Sequence, residues 1–271
     1  MSGKAYLVGA GPGDPELLTV KALRLIRSAD VVLHDDLVAP AILHLISPSA
    51  RVQNVGKRCG TKTMRQEEIN FLLVTLASSG LQVVRLKSGD PLIFGRAGEE
   101  MEALRRANID YEIVPGVTSA LGAAAAAGIP LTHRQISSTL ILTTGQRASR
   151  EVDDWNQYAS GGSTLVIYMP GDDYAQVARR LVGSGFAVKT PCAILSRATT
   201  PEQEIYQTTI SELPHAPRLT APALLVVGEV VGLANRNVNR EDFSDFNHEV
   251  EAIFARIAAS AEGARQEGPS A

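Results

Sequence analysis

Only two cysteines, Cys59 and Cys192, occur in 271 residues. They stand far apart, which argues against a disulfide framework and against thiolate metal sites. The five histidines show no i, i+4 or related ligand spacing, so no metal site is expected. No run of about 20 apolar residues occurs, and no N-terminal signal pattern. A net charge of −3 gives no global attraction to nucleic acid or to a membrane. No internal repeat is visible. These absences leave a soluble protein, expected in the cytoplasm, with a small-molecule partner. Any catalysis must use an organic cofactor or side chains alone. The length allows one large or two medium domains with a sizeable core.

What the sequence does hold is an alternation of strand-like and helix-like segments, which predicts α/β layers. Strands are expected at residues 5–8, 31–34, 82–86, 111–114, 139–143, 164–169, 192–195 and 223–227, with an added antiparallel strand at 204–208. Helices are expected over 65–79, 99–108, 119–128 and 173–182. A boundary at Pro115-Gly116 divides the protein into an N-terminal α/β domain, 1–115, and a C-terminal α/β domain, 116–234. Residues 235–271 read as a tail, helical from Asp245 to Ala258 and frayed at its end.

The most informative segment runs from Gly9 to Thr19, directly after the apolar Ala5–Val8. The order reads as strand, glycine turn, helix. Asp14 suits an N-cap and Pro15 the first helical position. The helix then carries Leu18, Ala22, Leu25, Ile26 and Ala29 on one face. The first glycines fit the dinucleotide fingerprint, but Asp14 stands where its third glycine belongs. An acidic side chain there opposes a pyrophosphate. The turn therefore suits a ligand lacking phosphate, such as a nucleoside.

Other segments hold polar groups at strand ends. Asp35 and Asp36 close the second strand, where open α/β sheets face their ligand; either can hold a ribose, take a proton, or form a solvated turn. Lys57 and Arg58 lie between glycines, in a loop that closes over an anion or is simply exposed. Residues 88–100 are densest. There Arg96 and Glu99 share one helix face, as a carboxylate-binding pair or a surface ion pair. Pro115–Ser119 opens a helix with free N–H groups and hydroxyls. Arg134 follows Gly128-Ile129-Pro130 beside an expected crevice, and His133 reads as a packed polar residue.

In order, GAGPGDPELLT (9–19), VGKRCG (55–60), RLKSGDPLIFGRAGEE (85–100), PGVTSALGAAAAAGIPLTHR (115–134) and PALLVVGEVV (222–231) resemble the tetrapyrrole (corrin/porphyrin) methylases. The likeness covers about residues 4–232 and is closest to members acting on uroporphyrinogen III. It implies two α/β domains of the tetrapyrrole methylase fold with the active site in the cleft between them, distinct from the ordinary Rossmann methyltransferase. It also implies a homodimer. The implied reaction is S-adenosylmethionine-dependent C-methylation of uroporphyrinogen III at two pyrrole carbons, giving precorrin-2 and S-adenosylhomocysteine. Precorrin-2 leads to siroheme, cobalamin and haem d1. No added dehydrogenase or chelatase domain is visible, so later siroheme steps are expected elsewhere.

The resemblance also implies roles. Pro12, Ser88, Gly89, Asp90, Ile93, Thr118, Ser119, Met169, Ala198 and Ala223 would line the cofactor site. Asp35 would accept a proton and Lys57 donate one; Arg96, Glu99 and Arg134 would contact or act on the tetrapyrrole. Ser88 departs from the family, which usually has glycine there, and the tail after Asn235 has no counterpart. The alternatives are a sister methylase acting on a later precorrin, a diphthine or ribosomal RNA methylase of the same superfamily, a nicotinamide-binding oxidoreductase, or a non-catalytic module.

Overall fold

β1 (Lys4–Gly9) lies inside a five-stranded sheet with β2 (Val31–His34), β3 (Arg51–Asn54), β4 (Gln82–Lys87) and β5 (Tyr111–Val114). The order is β3-β2-β4-β1-β5, and every pair is parallel. The computed structural model describes residues 3–56, 64–145 and 162–234. Lys57, Arg58 and the tail with its expected helix lie outside them. The near-continuous apolar runs of β1, β2 and β4 follow from burial on both faces. On one face, α1 (Val20–Ser28) and α2 (Pro40–Leu43) cover Val8, Val32, Val84 and Leu86. On the other, α3 (Gln66–Ser78) and α4 (Ala97–Arg106) cover Leu7, Leu33 and Val83.

A second sheet has the order β6-β7-β10-β8-β9. Its strands are β6 (Thr139–Thr144), β7 (Ser163–Tyr168), β8 (Pro191–Ser196), β9 (Glu204–Thr209) and β10 (Ala223–Val227). β6 and β7 run parallel; the remaining pairs are antiparallel. β9 is the antiparallel edge strand expected from the sequence. α5 (Ser119–Ala127) lays Ala120, Ala123, Ala124 and Ala127 on one face, and α6 (Tyr174–Gly183) covers the other. The alanines let α5 approach the sheet closely. Among the described residues, no helix is long and apolar enough to cross a membrane.

The structure differs from the sequence pattern at three places. The continuous helix predicted from Pro15 onward is broken. Asp14 Oδ1 accepts the Glu16 N–H and caps only a 3-10 turn, Pro15–Leu17. The backbone is extended at Leu18 and Thr19, and the Thr19 hydroxyl then caps α1 through Ala22 N–H. Two good caps five residues apart start two elements rather than one. β3 was not anticipated, because it is a mostly exposed edge strand without an apolar pattern. α2 is a single turn, too short to register as a helical period.

Candidate active site

The candidate residues of the first sheet gather at the C-terminal ends of its strands. β4 leads to the α3/α4 face, whereas its neighbours β1 and β2 lead to the α1/α2 face. Diverging connections open a crevice on each side of the β4 end, where ligands bind in open α/β sheets.

Between β1 and β4, the glycine turn meets the Ser88–Asp90 loop. Gly11 and Gly89 exchange backbone hydrogen bonds of 3.1 and 2.7 Å. The loop after β5 joins them. A Cβ on Gly116 would stand 2.3 Å from Gly89 O and 2.9 Å from Gly9 Cα, so only glycine fits. Asp90 holds this junction: its Oδ2 accepts the Gly116 N–H at 3.0 Å, while Oδ1 accepts the Leu92 N–H at 2.8 Å.

Segments from the second half of the sequence pack against this junction. Pro12 packs on α5, where a Cβ on Gly122 would meet Pro12 Cγ at 2.5 Å. The Asp14 N–H donates to Thr199 Oγ1 at 3.1 Å, bringing the β8–β9 loop and Ala198 alongside the turn. Ser119 Oγ faces Gly89. The buried Thr118 hydroxyl pairs with Tyr168 Oη at 2.6 Å, and the Tyr168 ring lies 4.9 Å from that of Phe94. Ile93 and Ala198 pack on the α5 side of the second sheet. Met169 follows Tyr168 with φ of 50° and is exposed. Ala223 opens β10 at the sheet end, opposite Ser196, the last residue of β8, and next to Leu224, which pairs with Tyr168.

The crevice between β2 and β4 is polar, with features the sequence reading did not single out. Arg85 and Lys87 alternate along β4 onto the α3/α4 face. Arg85 Nε donates to Glu100 Oε1 of α4 at 2.9 Å, and its Nη2 bonds Asp35 Oδ1. Lys87 Nζ lies 3.0 Å from Glu100 Oε1 and 3.8 Å from Asp35 Oδ2. Burial, reinforced by the Arg85 charge, pushes Lys87 below its ordinary pKa despite the two carboxylates. Burial also opposes the charge on Arg85, but Asp35 and Glu100 more than offset it and raise its pKa. The available signal was two cations inside an otherwise apolar strand.

Residues 4–214 match the profile of the Tetrapyrrole (Corrin/Porphyrin) Methylases. The chain belongs to that family. It is 50% identical over 233 residues to Siroheme synthase 1 of Yersinia enterocolitica, covering 85% of this chain and 49% of that protein. The chain thus spans about half the length of the curated relatives it matches. Among solved structures, a uroporphyrin-III-C-methyltransferase from Thermus thermophilus shares 44% identity with a TM-score of 0.73, covering 86% of this chain and 95% of that one. Another from the same organism, complexed with S-adenyl homocysteine, shares 40% identity with a TM-score of 0.76, covering 85% of this chain and 100% of that one.

The other candidate residues are Arg96 and Glu99 at the start of α4, Arg134 and Lys57. Arg96 caps α4 in a left-handed conformation, φ 56°, and grips Glu99 bidentately at 2.8 and 2.7 Å. Both are about half exposed. That hydrogen-bonded pairing raises the Arg96 pKa and lowers that of Glu99. Arg134 is exposed in the turn between His133 and Ser137. No hydrogen bond or ion pair joins it to another described residue. Lys57 lies outside the described residues. Among those described, no group of three or more His, Cys, Asp or Glu is placed to hold a metal.

Proposed function

We propose that this protein methylates uroporphyrinogen III at two pyrrole carbons, using S-adenosylmethionine and releasing S-adenosylhomocysteine, to give precorrin-2. The observation that carries this reading is the junction of the Pro12 turn, the Ser88–Asp90 loop and the start of α5. That junction suits a nucleoside ligand: it offers backbone edges, the hydroxyls of Thr118 and Ser119, and apolar Ile93, Met169 and Ala198. Asp14 stands where a phosphate-binding turn would have glycine. Pro12, Ser88, Gly89 and Asp90 form one wall, and Ala223 stands at the end of the second sheet, beside the strand ends that lead to Met169 and Ala198. The presence of two separate sheets supports a division into domains 1–115 and 116–234.

S-adenosylmethionine, when bound, supplies an electrophilic methyl on a sulfonium. The protein orients the electron-rich pyrrole toward it; positioning of this kind accounts for much of the rate. Ring methylation leaves a cationic ring system. Asp35 takes a proton from the neighbouring bridge carbon: the C–H bond breaks, its electron pair neutralises the ring, and an O–H bond forms on the carboxylate. Arg96 and Arg134 bind acetate and propionate groups on the rim, with Glu99 holding the Arg96 fork in place. An arginine stays protonated at working pH, which suits Arg96 to a clamp rather than a base. Lys57 acts as proton donor by family likeness.

Further parts of the reading are a homodimer working in the cytoplasm, with no nucleic-acid or membrane partner. The test is incubation with uroporphyrinogen III and methyl-labelled donor. The expected result is a doubly labelled product and calorimetric binding of S-adenosylhomocysteine but not NAD. Label transfer to a later precorrin only would move the assignment to a sister enzyme.

A further inference from the structure

Asp35 is the open end of an otherwise buried charge cluster. Its side chain is 29% exposed, whereas Arg85, Lys87 and Glu100 are 2%, 3% and 0% exposed. Every nitrogen of the Arg85 guanidinium is engaged. Nε bonds Glu100, Nη2 bonds Asp35, and Nη1 donates to Leu33 O and Leu86 O, both at 3.3 Å. Those carbonyls belong to adjacent strands β2 and β4, so the fork is fixed to the sheet. Glu100 is held in turn by Lys87 and by Gln66 Nε2 at 3.4 Å.

Core stability does not account for this arrangement. Burying ion pairs is commonly no better than packing aliphatic side chains of the same volume. Glu100 Oε2 is moreover buried with no hydrogen-bond partner, a cost without structural return. What the cluster does is aim one carboxylate. The Asp35 side chain, at a strand end facing the β2–β4 crevice, is tied through Oδ1 to a cation that cannot turn.

We propose that Arg85, braced by Glu100, is a positioning residue that fixes the Asp35 carboxylate in its orientation for proton removal. This rests on the methylation reading above. Arg85 reaches the chemistry only through Asp35. A carboxylate free to rotate by an ångström or so forfeits much of its advantage as a base, whereas substrate and donor affinity are set elsewhere in the cleft.

A double-mutant cycle in the full-length protein tests it. Arg85→Lys keeps the charge and loses the fork. Against the wild-type background it should lower kcat about 10- to 100-fold, with the KM for uroporphyrinogen III and the affinity for S-adenosylhomocysteine near wild type. Against Asp35→Asn, the same change should cost almost nothing further. Equal losses in both backgrounds, or unchanged turnover in the first, overturn the proposal. If Arg85→Lys does not fold, Glu100→Gln is read through the same cycle against the same outcomes. Wild-type protein that fails to methylate uroporphyrinogen III defeats the functional reading instead, and that control stands apart from the cycle.

Discussion

The hydroxyl oxygens of Thr118 and Tyr168 lie 2.6 Å apart, joining the start of α5 to the end of β7. The Ala120 N–H donates to the same tyrosine oxygen at 3.1 Å, so Tyr168 also satisfies one of the amides that a helix start leaves unpaired. Burial pushes the Tyr168 pKa up, which keeps the hydroxyl protonated at neutral pH. Tyr168→Phe retains the ring against Phe94 and strands both partners. Urea denaturation should show a loss of about 1–3 kcal/mol. A variant as stable as wild type would mean that water replaces the hydroxyl without cost.

Gly116→Ala drives a methyl group to 2.3 Å from Gly89 O, a backbone atom that cannot swing aside. Overpacking of this kind costs about 1–3 kcal/mol. The expected outcome is a lower melting temperature together with weaker binding of S-adenosylhomocysteine, because the shifted Gly89 carries the proposed cofactor loop. Lost stability with unaltered affinity would separate the junction from the cofactor site.

The depressed pKa of Lys87 predicts a pH dependence of stability. Between its folded value and its ordinary value near 10.5, the unfolded protein binds the Lys87 proton and the folded protein does not. Stability therefore gains from Lys87 as pH rises through that window. Lys87→Met lacks this gain, so the difference between wild type and variant should shift in favour of wild type toward pH 10.5. Tyr168 titrates in both proteins and cancels in the comparison. Parallel unfolding curves at successive alkaline pH values read the difference; a constant difference would contradict the assignment.

The two exposed arginines should behave differently. Arg134→Lys keeps the charge and loses the planar fork, so the KM for the tetrapyrrole should rise about tenfold with kcat little changed. Arg96→Lys also breaks the bidentate grip on Glu99, and its KM should rise further. Steady-state kinetics decide; normal kinetics in both variants would remove the arginines from substrate binding.

The parts of this molecule that local pattern controls were readable in advance. An apolar run followed by Gly9–Asp14 specifies strand and turn, and the three-residue spacing of Arg96 and Glu99 specifies their pairing. Asp35 was reachable from its place at a strand end. Arg85 and Glu100 were not, because their contact depends on which face of β4 meets α4, fifteen residues away. The bond from Asp14 N–H to Thr199 spans 185 residues and has no local signature at either end. The break in the first helix was missed because Asp14 is a good cap for a turn that stops at once.

The contact among Gly9, Gly89 and Gly116 also bears on redesign. Three stretches of main chain touch there with no side chain between them, so this part of the proposed cofactor site offers nothing to trim. An engineer seeking to admit a sulfonium bearing a larger alkyl group would find no bulk to remove at that point. Room would have to come from Ile93 and Met169, the longest apolar side chains among the residues proposed to line the site.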